Sequence, residues 1–192
     1  MKLKKTIFLL ILAISLTGCN HKKTSISNNQ ERLSLPVKTE SENMKKEEKV
    51  IKTIKGVIKT EKGDIEVELF GNQAPKTVDN FIEKAKSGYY QGLVFHRIED
   101  WVAQGGDPLG TGTGGGEMAT ELSQEPFDIG SLGVARGGNI KISNDSQFFI
   151  CTKKCDWLNG QYTNFGKVTK GMEVVNLLEI GDKILSIKIT DN

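Results

Sequence analysis

In the stretch "VFHRIEDWVAQGGD", Val94 to Asp107, the groups able to do chemistry are one guanidinium (Arg97), one imidazole (His96) and one amide (Gln104) among aromatic and aliphatic side chains. A fixed cation beside apolar walls suits a reaction in which donors stabilise a developing charge or lone pair, with no covalent nucleophile required. The alternatives fail on spacing. His96 has no serine in a G-x-S-x-G elbow to activate, and a lone histidine reads as a structural one beneath a strand. The loop Gly110-Thr111-Gly112-Thr113-Gly114-Gly115 matches G-x-G-x-x-G, but no helical apolar period follows it and no Lys-Ser/Thr pair completes a P-loop. Cys151 and Cys155, in "CTKKC", have the spacing of half a metal site, yet the only histidines are His21 and His96. They read as structural thiols, with a disulfide left open and no metal or cofactor expected. Arg97 itself follows Phe95 by two residues in a strand, so the two are expected to share a face. That pattern alone favours a surface residue or half of an ion pair.

The elements that must position these groups follow from the texture of the chain. Its 192 residues, 37% hydrophobic and 26% charged, suit one folded domain with appendages. The 26 basic and 24 acidic residues are interspersed, which leaves no field for a polyanion and excludes nucleic acid as the expected partner. Lys2, Lys4 and Lys5 precede an apolar run from Ile7 to Leu16, the form of a secretory signal. It ends in Leu16-Thr17-Gly18-Cys19, which resembles the lipobox of bacterial lipoproteins. That likeness implies a signal peptide over 1–18, lipidation at Cys19, and attachment to the outside of the cell membrane. The polar segment that follows, 19–52, has too little apolar surface to offset its ordering entropy and reads as a flexible tether.

Residues 53–192 form the expected folded domain. Ile65, Val67 and Leu69 alternate with Glu66 and Glu68 after the turn Lys62-Gly63-Asp64, which predicts a hairpin. Val78, Phe81, Ile82 and Ala85 make one helical face between Pro75 and Gly88. Residues 92–107 predict two short strands meeting near Glu99-Asp100, and the runs "GSLGVA", "SQFFICT" and "TNFGKV" further strands of a sandwich or barrel. "TKGMEVVNLLEIG" predicts a second amphipathic helix on Met172, Val175 and Leu178. "KILSIKIT" alternates Leu185, Ile187 and Ile189, which predicts a closing strand.

Taken together, "VFHRIEDWVAQGGD", "GTGTGGG", "SQFFICTKKCDWLNGQYTNFGKV" and "APKTVDNF" resemble the cyclophilin family of peptidyl-prolyl cis-trans isomerases, over roughly Ile54 to Thr190 and in the right order. The resemblance implies a mainly β fold, an eight-stranded antiparallel β-barrel capped by two α-helices. It implies catalysis of Xaa-Pro isomerisation, with Arg97 as the catalytic arginine and Gln104 beside it. Substrate contacts are implied at Phe95, Trp101, Val102, Gln147, Phe149, Trp157, Leu158 and Tyr162, and along the backbone of Ala135, Arg136 and Gly137. Trp101 and Val102 stand where the family more often has Phe and Met, and Tyr162 where many eukaryotic relatives have histidine. Arg136 replaces a common asparagine, a change that favours acidic residues beside the client's proline. The turn at Glu99-Asp100 is one residue shorter than in many eukaryotic members. Expected partners are proline-containing polypeptides folding outside the cytoplasmic membrane, the membrane itself through the lipid anchor, and a cyclosporin-type inhibitor; a monomer is expected. The rival readings are a non-catalytic chaperone or proline-peptide receptor using the same groove, and a lipoprotein whose barrel is only a scaffold.

Overall fold

The computed structural model describes residues 54–191. The signal peptide, Cys19 and the tether lie outside the described residues. The strands are β1 (Ile54–Thr60), β2 (Gly63–Leu69), β3 (Phe95–Glu99), β4 (Val102–Gly105), β5 (Glu117–Ala119), β6 (Ser131–Val134), β7 (Ile142–Asn144), β8 (Phe148–Cys151), β9 (Asn164–Lys170) and β10 (Ile184–Asp191); the helices are α1 (Pro75–Lys86) and α2 (Met172–Val175).

The alternation in β2 does what its pattern dictates: Ile65, Val67 and Leu69 are buried and β2 pairs with β1 in a hairpin. The turn is Glu61-Lys62, so Gly63 and Asp64 already belong to the strand. Eight strands form one antiparallel sheet in the order β10-β1-β2-β9-β6-β8-β4-β3. Its two edges meet where Phe95 N–H donates to the Asp182 carbonyl (2.9 Å), Ile184 N–H to the Leu93 carbonyl (2.8 Å) and Val94 bridges Lys183. Curling the sheet onto itself in this way pairs edge backbone groups that would otherwise be open to other chains.

Helix α1 closes one end. Val78, Phe81 and Ala85 face inward, Pro75 occupies the first turn where its missing N–H costs nothing, and Lys84 and Lys86 sit at the negative end of the helix dipole. Its N-cap, Ala74, has no side chain able to cap. The Glu121 carboxylate does so from a distant loop, accepting from Thr77 N–H at 2.7 Å and Lys76 N–H at 3.2 Å. Phe81 meets Tyr90, Phe148 and Phe165 at centroid separations of 5.2 to 5.6 Å, an aromatic knot that fastens α1 to the barrel interior.

Two expectations need correction. The second helix is a single turn, Met172–Val175; beyond it Leu177 and Leu178 N–H groups bond three residues back, to Val174 and Val175. The adjacent β-branched Val174 and Val175 and the weak helix former Asn176 give a longer helix little propensity. In β10 the inward residues are Ile184 (0% exposed) and Ile187, while Leu185 is 46% exposed. Lys59 pairs with Ser186 and Thr60 with Ile184, so Leu185 is an extra residue in a bulge that flips the alternation.

Candidate active site

Strands β4, β6 and β8 are buried along their whole length, so their sheet has two covered faces. Ala103, Phe148 and Ile150 point into the barrel core; Val102, Phe149 and Cys151 point outward into a second cluster with Phe127, Cys155 and Leu158, flanked by Trp101 and Tyr162. Above that outer cluster opens a cavity of about 320 Å³. Its floor is Phe149, stacked on Phe127 at 5.8 Å and meeting Tyr162 edge-on at 6.0 Å. The ring fits because its cross-strand neighbour is Gly133: a Cβ there would overlap Phe149.

Gln104, opposite Phe149 in the β4–β8 register, starts a chain of side-chain bonds along this face. Arg97 Nη1 donates to Gln104 Oε1 (3.0 Å), Gln104 Nε2 to Gln147 Oε1 (3.0 Å), and Gln147 Nε2 to the Gly114 carbonyl (2.8 Å). On its other side the guanidinium is gripped by Glu99, Nε to Oε1 at 2.7 Å and Nη2 to Oε2 at 3.0 Å. Its carbon lies 5.1 Å from the Trp101 ring centroid. The Arg97 hydrogen bond holds the Glu99 carboxyl below the usual carboxylate range. Three of the five guanidinium N–H groups are thereby committed and two remain.

Leu158, Tyr162, Ala135 and Arg136 line the cavity together with Arg97 and Trp101. Val102 and Gln147 are buried and lie outside the lining. Trp157, 55% exposed, lies outside the lining and meets the lining residue Trp101 edge-on at 5.6 Å. Gly137 is exposed and contributes its carbonyl, which accepts from Arg136 Nη1 at 2.8 Å. In the expected backbone strip, Ala135 is already committed, its N–H to Gln147 and its carbonyl accepting from Asn144 N–H; Arg136 has no backbone–backbone bond among the described residues.

Phe95 departs from expectation. It is 0% exposed in the barrel core and does not line the cavity. The register slips between Phe95, opposite Gly105, and Arg97, opposite Gln104, so His96 is an extra residue and the presumed shared face is broken. His96 lines the cavity instead, neither ring nitrogen hydrogen-bonded, and burial holds its pKa below the ordinary range despite the nearby Asp107 carboxylate. Asp107 arranges the glycine-rich loop by accepting N–H bonds from Leu109, Thr111 and Gly112, and so brings Thr111 and Gly112 to the rim. Phe127 carried no sequence signal of its own, because it matters through Phe149, far along the chain; Glu99, two residues from Arg97, was read only as part of a turn, and Thr111 and Gly112 only as part of the glycine-rich loop.

The arrangement can seat a ring-sized apolar group on Phe149 and point two guanidinium donors at whatever is attached to it. Cys151 and Cys155 lie buried beneath as thiols, and burial pushes Cys151 well above its usual range, which removes it as a nucleophile at neutral pH.

Comparison with known proteins bears on the family and the fold. Residues 55–191 match the family model described as cyclophilin type peptidyl-prolyl cis-trans isomerase/CLD. A peptidyl-prolyl cis-trans isomerase of Synechococcus elongatus is 41% identical over 128 residues, 64% of this chain and 87% of the relative. Peptidyl-prolyl cis-trans isomerase B of Bacillus subtilis is 42% identical over 129 residues, 65% of this chain and 89% of the relative. Among solved structures, a cyclophilin type isomerase of Cryptosporidium parvum, crystallised in the presence of the dipeptide Ala-Pro, superposes with a TM-score of 0.66 at 35% identity, covering 72% of this chain and 99% of that one.

Proposed function

This chain belongs to the cyclophilin family of peptidyl-prolyl cis-trans isomerases, and from that premise we propose that the outer face of β4 and β8 is its active site, with Arg97 the catalytic residue. Rotation about a peptide bond faces a barrier of roughly 18–20 kcal/mol because the nitrogen lone pair is delocalised into the carbonyl. For Xaa-Pro both isomers are populated, yet they interchange over about tens to hundreds of seconds. No bond is broken in the reaction, so the catalyst needs only to bind the twisted amide better than the planar one.

The proline ring sits on Phe149 between Leu158 and Tyr162, with Val102 and Phe127 supporting the floor. As the bond twists, the nitrogen becomes pyramidal and its lone pair localises. The two uncommitted N–H groups of Arg97 stabilise that lone pair, and Gln104 and Glu99 fix the guanidinium so that little reorganisation is needed during the twist. The observation that carries this reading is the guanidinium held between Gln104 and Glu99 at the edge of an apolar floor. Gln104, with the Arg136 backbone, holds the flanking chain.

The place of action proposed for this chemistry is outside the cytoplasmic membrane, on clients folding there, with Cys19 the lipidated anchor and 19–52 the tether. The basic, apolar and Leu16-Thr17-Gly18-Cys19 sequence of segments supports it. Mass spectrometry of the membrane fraction tests it: a diacylglyceryl group on Cys19 is expected, and an unmodified, soluble chain overturns it.

The site reading is tested by the cis-to-trans rate of a short Xaa-Pro peptide with the chain from Asn20 onward, native against Arg97→Ala. Loss of about 10²–10³-fold in kcat/KM is expected, the scale of removing one preorganised donor. Native turnover in the variant overturns the role of Arg97. No turnover by a folded native sample would favour the rival reading, a non-catalytic proline-peptide receptor.

A further inference from the structure

The cavity carries two arginines, and they are in opposite states. Arg97 is neutralised by Glu99. Arg136 enters no ion pair among the described residues. It is nevertheless well fixed: Nε donates to the Gln161 carbonyl at 2.9 Å, Nη1 to the Gly137 carbonyl at 2.8 Å, and its carbon lies 4.2 Å from the Tyr162 ring centroid. Neutral carbonyls and a π face orient a guanidinium without cancelling its charge. Two of its five N–H groups are used and three are free. Tyr162 in turn meets Phe149 edge-on, so floor, rim ring and cation are in one unbroken line of contacts. The charge therefore stands in a set relation to the seat of the proline ring.

We propose that Arg136 is a specificity-determining residue, a subsite for the carboxylate of an Asp or Glu close to the client's proline, so that acidic-flanked Xaa-Pro sites are the preferred substrates. The inference rests on the cavity being the peptide site. The carboxylate would accept from the free N–H groups of a side chain whose ordering cost is already met, and a lysine in the same place would be repelled. Because the rim is open to solvent, the preference is modest, about two- to fivefold, and shrinks as salt screens it.

The experiment uses the full chain and peptides identical except for Glu, Gln or Lys at each position flanking the proline. Affinity is read by titration and turnover by nuclear magnetic resonance exchange, at low and high salt. At one position Glu should bind more tightly than Gln, and Gln more tightly than Lys, with the order collapsing at high salt and reversing in Arg136→Glu. Equal affinities for the Glu and Lys peptides at every position in low salt, or a Glu preference that survives in Arg136→Glu, overturns the proposal. The two readouts separate this outcome from failure of the enzymatic reading: turnover without charge discrimination sinks the subsite alone. Charge-selective, Arg136-dependent binding without turnover upholds the subsite and sinks catalysis.

Discussion

Phe148 and Phe149 are adjacent in sequence, equally aromatic and both almost wholly buried, yet they belong to different parts of the molecule. Phe148 enters the barrel, where it meets Phe81, Tyr90 and Phe95 edge-on. Phe149 faces the other way, onto Phe127 and Tyr162 beneath the cavity. The two-residue alternation of a strand thus divides one hydrophobic run between two tasks. The inner face makes the barrel, and the outer face uses the barrel as a rigid wall on which to hold Arg97, Gln104 and Gln147.

Truncation should affect the two faces differently. Phe148→Ala should cost about 3–5 kcal/mol of stability, because it leaves a sealed void among close-packed rings. Phe149→Ala should cost less in denaturant unfolding, since the space it leaves joins an open cavity, but should lower kcat/KM by about 10- to 100-fold. Equal stability losses, or an active Phe149→Ala enzyme, would show that the faces are not separate in function.

Gly133→Ala sharpens the same contrast without altering any cavity-lining side chain. The new methyl overlaps the Phe149 ring and must push it toward the cavity. Turnover should fall about tenfold, with a KM change showing that the floor has moved; unchanged kinetics in a folded variant would mean that the floor position is unimportant.

The smallest effect is expected at Glu99, which touches Arg97 and lies outside the lining of the cavity. Glu99→Gln should lower kcat by roughly three- to tenfold and leave KM nearly unchanged, as loss of an interaction felt in the transition state does. The pH profile gives an independent check. A carboxyl whose folded pKa is depressed keeps its ion pair at neutral pH and loses it only as the pH falls through that depressed value. The native enzyme should therefore show an acid limb below the usual carboxylate range that Glu99→Gln lacks.

Much of the inner face was legible in the sequence because burial writes a period. Ile65, Val67 and Leu69 gave β2, and Val78, Phe81 and Ala85 gave α1. The outer face was legible only through resemblance, since its members come from β3, β4, β6, β8 and the turns around Phe127 and Tyr162, with no common period. Where local pattern failed, a bulge was responsible. One extra residue at His96 sent Phe95 into the core, and one at Leu185 exchanged Ile184 for it as the buried residue. A bulge depends on pairing with a distant strand, and nothing within the strand itself announces it. The Glu99 grip on Arg97, by contrast, is a contact between residues two apart in β3.

On this reading the outer face catalyses through an oriented guanidinium rather than through positive charge alone. Arg97→Lys keeps the charge but has no planar fork to lie between Glu99 and Gln104. The measurement is the exchange rate between cis and trans forms of an Ala-Pro peptide, followed by nuclear magnetic resonance at catalytic concentrations of native and Arg97→Lys protein. A rate at least about tenfold lower in the variant, with peptide affinity retained, is the predicted result. A lysine enzyme as fast as the native one would contradict the account.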